Sequence, residues 1–119
     1  MSGLSPVAPG APAVATTERV LLGDEAVAQA ALDAGISAAY GYPGTPSTEI
    51  LEYLLAPRRP GRRVLGGWCA NEKTAYEAAL GVSLAGRRSL VAMKHVGLNV
   101  AADPFVNSAI VKLGGGLVL

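Results

Sequence analysis

Three short apolar runs, at 36–40, 64–68 and 89–94, each lead through a turn into a stretch with helical spacing. Apolar residues run continuously through them rather than alternating. Such strands are covered on both faces, and strands separated by single helices pair in parallel. The pattern predicts an α/β fold, a parallel sheet with helices on both faces. A fourth apolar run, 117–119, follows Gly114-Gly115-Gly116 and reads as the start of a further strand. The fold is therefore expected to be incomplete at the C-terminus, as in a truncated chain.

End signals set the helices. Asp24 is placed to cap a first helix, with Gly35 following as its left-handed terminator, and Ser47 opens a second that Pro57 stops. Asn71 caps a third helix from 72 to about 85, closed by Gly86. After a helical turn at 97–102, Asp103 as cap and Pro104 as first residue start a last helix reaching about 113.

The core of this sheet has to be built from small residues, because the chain has 21 Ala and 15 Gly but one Trp, one Phe and four Tyr. A mean hydropathy of +0.35 with 16% charged residues excludes a disordered polyelectrolyte. At 119 residues there is room for one domain, expected over 18–119. Residues 1–17 carry no charged side chain and are broken by Pro6, Pro9 and Pro12, which predicts a disordered Ala/Pro arm rather than a secretory signal. The basic stretch 57–63 has four arginines without interleaved aromatics and reads as a solvated surface turn. A net charge of +1 offers no field for nucleic acid or anionic membrane, and no run reaches the roughly 18 to 20 apolar residues of a spanning helix. One cysteine, Cys69, can form no internal disulfide, zinc site or iron–sulfur cluster, so a reducing cytoplasmic setting is the expectation.

Parallel sheets bind ligands at the carboxyl ends of their strands, which directs attention to the turns 41–47, 69–72 and 94–99. Glu72 opens its helix and shares a face with Ala75, Tyr76 and Ala79. It is either an ordinary acidic residue favoured by the helix dipole or a carboxylate aimed into an apolar interface. In the second case desolvation helps it share a proton with a bound heterocycle. Thr45, held between Pro43 and Pro46, either reverses the chain or presents a hydroxyl rigidly to a ligand. Lys94 and His95 put two potential cations, or a proton carrier, at the end of the third strand, although a lone histidine can equally be structural. Cys69 has no neighbouring base and reads as a small core residue.

The three turns read Gly41-Tyr42-Pro43-Gly44-Thr45-Pro46-Ser47-Thr48-Glu49-Ile50, then Asn71-Glu72-Lys73, then Met93-Lys94-His95-Val96-Gly97-Leu98-Asn99-Val100-Ala101-Ala102-Asp103-Pro104. In these motifs, and over about 19–119, the sequence resembles the thiamine-diphosphate-dependent 2-oxoacid:ferredoxin oxidoreductases, most closely the alpha subunit of their indolepyruvate branch. The resemblance implies the pyrimidine-binding domain of that family and one half of a thiamine diphosphate site. Glu72 matches the glutamate that hydrogen-bonds the aminopyrimidine ring. Pro43 and Gly44 match the backbone beside that ring, and Thr45 the threonine that contacts the 2-oxoacid. Lys94, His95 and Asn99 fall in the motif of the arylpyruvate branch, on the substrate side.

The activity so implied is oxidative decarboxylation of an arylpyruvate with coenzyme A and ferredoxin, in an oligomer that includes a beta subunit. The family's diphosphate and Mg2+ motif and its ligands for 4Fe-4S clusters are absent from these 119 residues. Both are expected in a missing part or a partner, and the chain alone is expected not to turn over. Another branch of the family, or a binding or assembly module that keeps the fold without the chemistry, is the alternative.

Overall fold

The computed structural model describes residues 18–57 and 63–119; the expected arm at 1–17 and residues 58–62 of the basic turn lie outside the described residues. In chain order the elements are α1 (Gly23–Asp33), β1 (Ala38–Gly41), α2 (Thr48–Leu55), β2 (Leu65–Trp68), α3 (Glu72–Leu84), β3 (Ser89–Ala92), α4 (Gly97–Val100), α5 (Ala102–Ser108) and β4 (Leu117–Val118). The four strands form one parallel sheet in the order β2-β1-β3-β4.

Side chains alternate across the sheet, so successive strand residues feed two cores. Ala39, Leu90 and Ala92 face α1 and α2, where Ala28, Leu51 and Leu54 meet them with Ile36 and Val64. On the other face Val91, with Tyr40 and Met93, packs under Ala75, Tyr76 and Ala79 of α3 and under Ala101. The alanines let α3 lie close on β1 and β3. Tyr76 also ties α3 to α5, edge-on to Phe105 at 5.8 Å and hydrogen-bonded to the Ser108 hydroxyl at 2.8 Å. Leu51 is fully buried at the centre of the first core. Leu51→Ala should destabilise the fold by about 2–5 kcal/mol, the usual cost of lost burial plus a cavity, read as a lower urea midpoint.

Several ends follow their sequence signals. Asn71 Oδ1 accepts from the Thr74 N–H at 2.9 Å and caps α3. Gly35 (φ 78°) and Gly86 (φ 80°) are left-handed after α1 and α3. Two predicted caps are misplaced. Helix α1 starts two residues earlier, with Leu22 at the cap, so Asp24 lies inside it, and the Glu25 carboxylate accepts from the Leu22 N–H at 3.0 Å. Helix α5 takes its first carbonyl from Ala101, through the Phe105 N–H at 3.0 Å, which leaves Asp103 and Pro104 within the first turn.

That helix ends at Ser108 rather than near 113, and residues 109–111 continue only as looser turns bonded three residues back. The chain then crosses the end of α3, where the N–H groups of Gly114 and Gly115 both donate to the Ser83 carbonyl. Strand β2 also departs from expectation. It is the edge of the described sheet, and its Leu65 is 59% exposed, because two of its four residues are glycines and no strand lies beyond it among the described residues.

Candidate functional site

Strands β1 and β3 are neighbours although α2, β2 and α3 separate them in sequence. The strand order reverses at β1, and in an open parallel sheet the crevice at such a reversal, outside the carboxyl ends, is where ligands sit. Register levels that edge, since Gly41 pairs with both Trp68 and Ala92. The turns after β1, β2 and β3 therefore start side by side, and these are the three turns singled out in the sequence.

The turn after β1 is pinned by its own polar groups. The Ser47 N–H and hydroxyl both donate to the Gly44 carbonyl at 3.0 Å, and the Gly44 N–H donates to Thr48 Oγ1 at 3.0 Å. Gly44 lies against the turn after β3, for a Cβ at this position would stand 2.8 Å from Lys94 Cβ. The 94–97 turn is closed by the Gly97 N–H donating to the Lys94 carbonyl at 2.7 Å. At its far end Gly97 meets Glu72, where a Cβ would stand 2.6 Å from Glu72 Cγ and 2.7 Å from Oε1. Gly44, Lys94, Gly97 and Glu72 thus form a continuous line of close approaches across the edge.

Glu72 is half-buried at the first position of α3, and no hydrogen bond or ion pair engages its carboxylate among the described residues. Pro43 and Thr45 project from the β1 turn and are exposed, as are Lys94, His95 and Asn99. Lys94 and His95, with Ser47, also border a groove of about 360 Å³ on the α1/α2 side, lined by Val27, Ile50, Leu90 and Leu98. Glu72 and Thr45 do not line it. The structure brings Gly44, Lys94 and Glu72 to one edge and leaves Asn99 on α4. Gly97 is the residue that sequence reasoning passed over. Its φ is not left-handed, so backbone freedom does not explain a glycine at the start of α4.

Cys69 is half-buried against the second core, and burial pushes its thiol pKa up, which fits a packing residue rather than a nucleophile. Beside the site, Lys73 Nζ and Asp103 pair at 2.9 Å and join the first turns of α3 and α5. Hydrogen bonding from Lys73 and its charge hold the Asp103 carboxyl below the ordinary range, and Asp103 raises Lys73 in return.

A depressed carboxyl pKa contributes stability above its unfolded value and loses it as pH falls through the folded value. The raised Lys73 contribution is present below that group's unfolded pKa and lost as pH rises through its folded one. Thermal unfolding of Asp103→Asn should therefore lie below wild type at neutral pH, with the gap closing in acid. A gap that persists in acid would show that the pair is not its source. Among the described residues no cluster of three or more His, Cys, Asp or Glu could hold a metal ion, and no helix is long and apolar enough to cross a membrane.

No protein-family model matches the chain, and no solved structure matches it significantly. Curated proteins do. The chain is 50% identical over 102 residues to the indolepyruvate oxidoreductase subunit IorA of Archaeoglobus fulgidus, a match covering 83% of this chain and 16% of that protein. It is 46% identical over 103 residues to the subunit of the same name from Thermococcus kodakarensis, covering 86% and 16%. A third, from Methanothermobacter thermautotrophicus, is 43% identical over 100 residues, covering 83% and 16%. Over more than four fifths of its length the chain is a homologue of indolepyruvate oxidoreductase subunit IorA, and it spans about 16% of the length of these relatives.

Proposed function

We propose that this chain forms the pyrimidine-side half of a thiamine diphosphate site in an oxidoreductase acting on indolepyruvate or a similar arylpyruvate, with Glu72 as its catalytic carboxylate. One observation carries the reading. At the reversal of strand order, where a parallel sheet binds ligands, the half-buried Glu72 carboxylate has no protein partner among the described residues. The relatives' names supply the substrate.

The residues present fit an aminopyrimidine. A carboxyl group beside bare glycine backbone can lie flat against a ring and exchange a proton with its nitrogen, and Gly97 leaves that room. Pro43 and Gly44 bring main chain to the same edge, and the hydrogen bonds within the 44–48 turn hold it rigid. Thiamine diphosphate, when bound, supplies the carbanion chemistry of decarboxylation. Glu72 holds the proton that the ring shares. Thr45, Lys94, His95 and Asn99 face the 2-oxoacid, the two basic side chains matching its carboxylate.

A single cysteine cannot ligate a 4Fe-4S cluster, so electron transfer to ferredoxin is assigned to the remainder of the enzyme. That remainder includes a beta subunit and the Mg2+-diphosphate site, and coenzyme A accepts the acyl group. Titration calorimetry of thiamine diphosphate into the assembled enzyme tests the assignment. Glu72→Ala should weaken binding by roughly 10- to 100-fold, the loss of one hydrogen bond to a charged group. Unchanged affinity together with unchanged turnover would leave the chain an assembly module.

A further inference from the structure

We infer that Gly97 is a positioning residue for Glu72: the absence of a side chain at 97 is what lets the carboxyl group of Glu72 cross the start of α4 and reach the ligand edge. The inference rests on the function proposed for Glu72, and it names the residue that sets that side chain's direction.

Gly97 is buried and opens α4. Its backbone bonds are ordinary, its N–H donating to the Lys94 carbonyl at 2.7 Å and its carbonyl accepting from the Ala101 N–H at 3.0 Å. Alanine would keep both. Nor does Gly97 belong to the left-handed glycines, so neither hydrogen bonding nor backbone conformation calls for this residue. What alanine would meet first is one side chain. The three nearest atoms to a Cβ at 97 all belong to Glu72: Cγ at 2.6 Å, Oε1 at 2.7 Å and Cδ at 3.0 Å. Carbon atoms in contact sit about 3.5–4.0 Å apart, so the Glu72 side chain would have to leave.

Elsewhere a glycine in a helix need not mark such a contact. A Cβ at Gly81, within α3, would meet nothing within 4 Å. Gly97 is the only glycine of the third motif, and the space its Cβ would take is held by Glu72 from the turn after β2.

The test is a double-mutant cycle with a spectroscopic readout. In the full chain, labelled at glutamate side chains, the Glu72 carboxyl carbon signal is assigned by its loss in Glu72→Gln. Gly97→Ala should move that signal and leave those of Glu49 and Glu77 in place, whereas Gly81→Ala should leave all of them. In urea unfolding Gly97→Ala should be destabilising on its own. It should lose that effect in the Glu72→Ala background, which removes the three atoms nearest the new methyl group.

Should Gly97→Ala alone fail to fold, the combined variant should fold, and its failure would overturn the inference. So would an unmoved Glu72 signal in a folded Gly97→Ala chain. In the assembled enzyme Gly97→Ala should lower kcat by roughly 100-fold with little change in KM, the scale of a 1 Å misplacement of a catalytic group. Equal losses in kcat and in substrate affinity would count against positioning. The carboxyl signal and the unfolding cycle require no cofactor, so they stand or fall separately from the calorimetry on Glu72.

Discussion

Replacing Glu72 with alanine is expected to reduce turnover of an arylpyruvate by roughly 100- to 10,000-fold in an enzyme assembled from this chain and its companion parts. That range is what a positioned acid or base contributes. The prediction follows from placement. Glu72 is carried by the first turn of α3, whose N-terminal end is fixed by the Asn71 cap at 2.9 Å, and its side chain is confined on one side by the backbone of Gly97. A group carried by a capped helix start and confined on one side is suited to proton transfer because little reorganisation is needed when the ligand arrives.

Glu72→Gln makes the sharper experiment, since it keeps the shape and removes the exchangeable proton. It should lose nearly as much turnover as Glu72→Ala, at saturating thiamine diphosphate, while melting within a few degrees of wild type. Glutamine at wild-type rate would mean that the residue holds the ring by contact alone. Such a result would remove the acid–base assignment and leave the binding one.

The second large effect is on stability. Gly66→Ala should lower the unfolding free energy by more than about 3 kcal/mol, a serious loss against the typical 5–15 kcal/mol of a folded domain. Two independent causes act together. Gly66 has φ +123°, a conformation that costs an ordinary residue about 1–3 kcal/mol. A Cβ there would also lie 1.8 Å from the Ala39 carbonyl oxygen and 2.8 Å from its carbon. Both atoms are backbone of β1, directly across the ladder, so no side chain can move aside.

Either β2 would detach or β1 would shift out of register with β3. Gly67→Ala is the control. Its Cβ meets nothing within 4 Å, and its urea midpoint should fall within about 0.5 kcal/mol of wild type. Gly66→Ala unfolding at the wild-type midpoint would show that the edge strand yields freely.

Much of this fold is legible in the sequence because its signals are local. Continuous apolar runs marked all four strands, and Asn71 and Gly86 bounded α3 closely. The three turns at the carboxyl edge of the sheet are legible because each strand is followed directly by its turn. Strand order was not legible. Nothing in residues 86–92 says that β3 returns to the far side of β1, and it is this crossing that joins the Lys94 turn to the Gly44 turn.

The misplaced caps have a local explanation. Aspartate is favoured both at the cap and in the first turn of a helix, and Asp24 and Asp103 each lie two residues past the cap, in the first turn. At 103 the decision was tertiary: Asp103 receives Lys73 from α3, a bond invisible along the chain. Gly97 escaped for the same reason. Its requirement for space comes from a residue on another element, and no spacing rule reports an atom arriving from elsewhere.

The sheet order β2-β1-β3-β4 has a further consequence, for when the ligand edge exists at all. Pairing β1 with β2 closes a loop through α2 alone, whereas pairing β1 with β3 must wait for a loop that spans α2, β2 and α3. Longer loops close more slowly and at greater entropic cost. Loop closure alone predicts that the half of the edge carrying Lys94 and Gly97 docks after β1 and β2 have met. A ligand that touches both Gly44 and Glu72 recognises only the chain in which that docking is complete, and binding it draws the population toward that state.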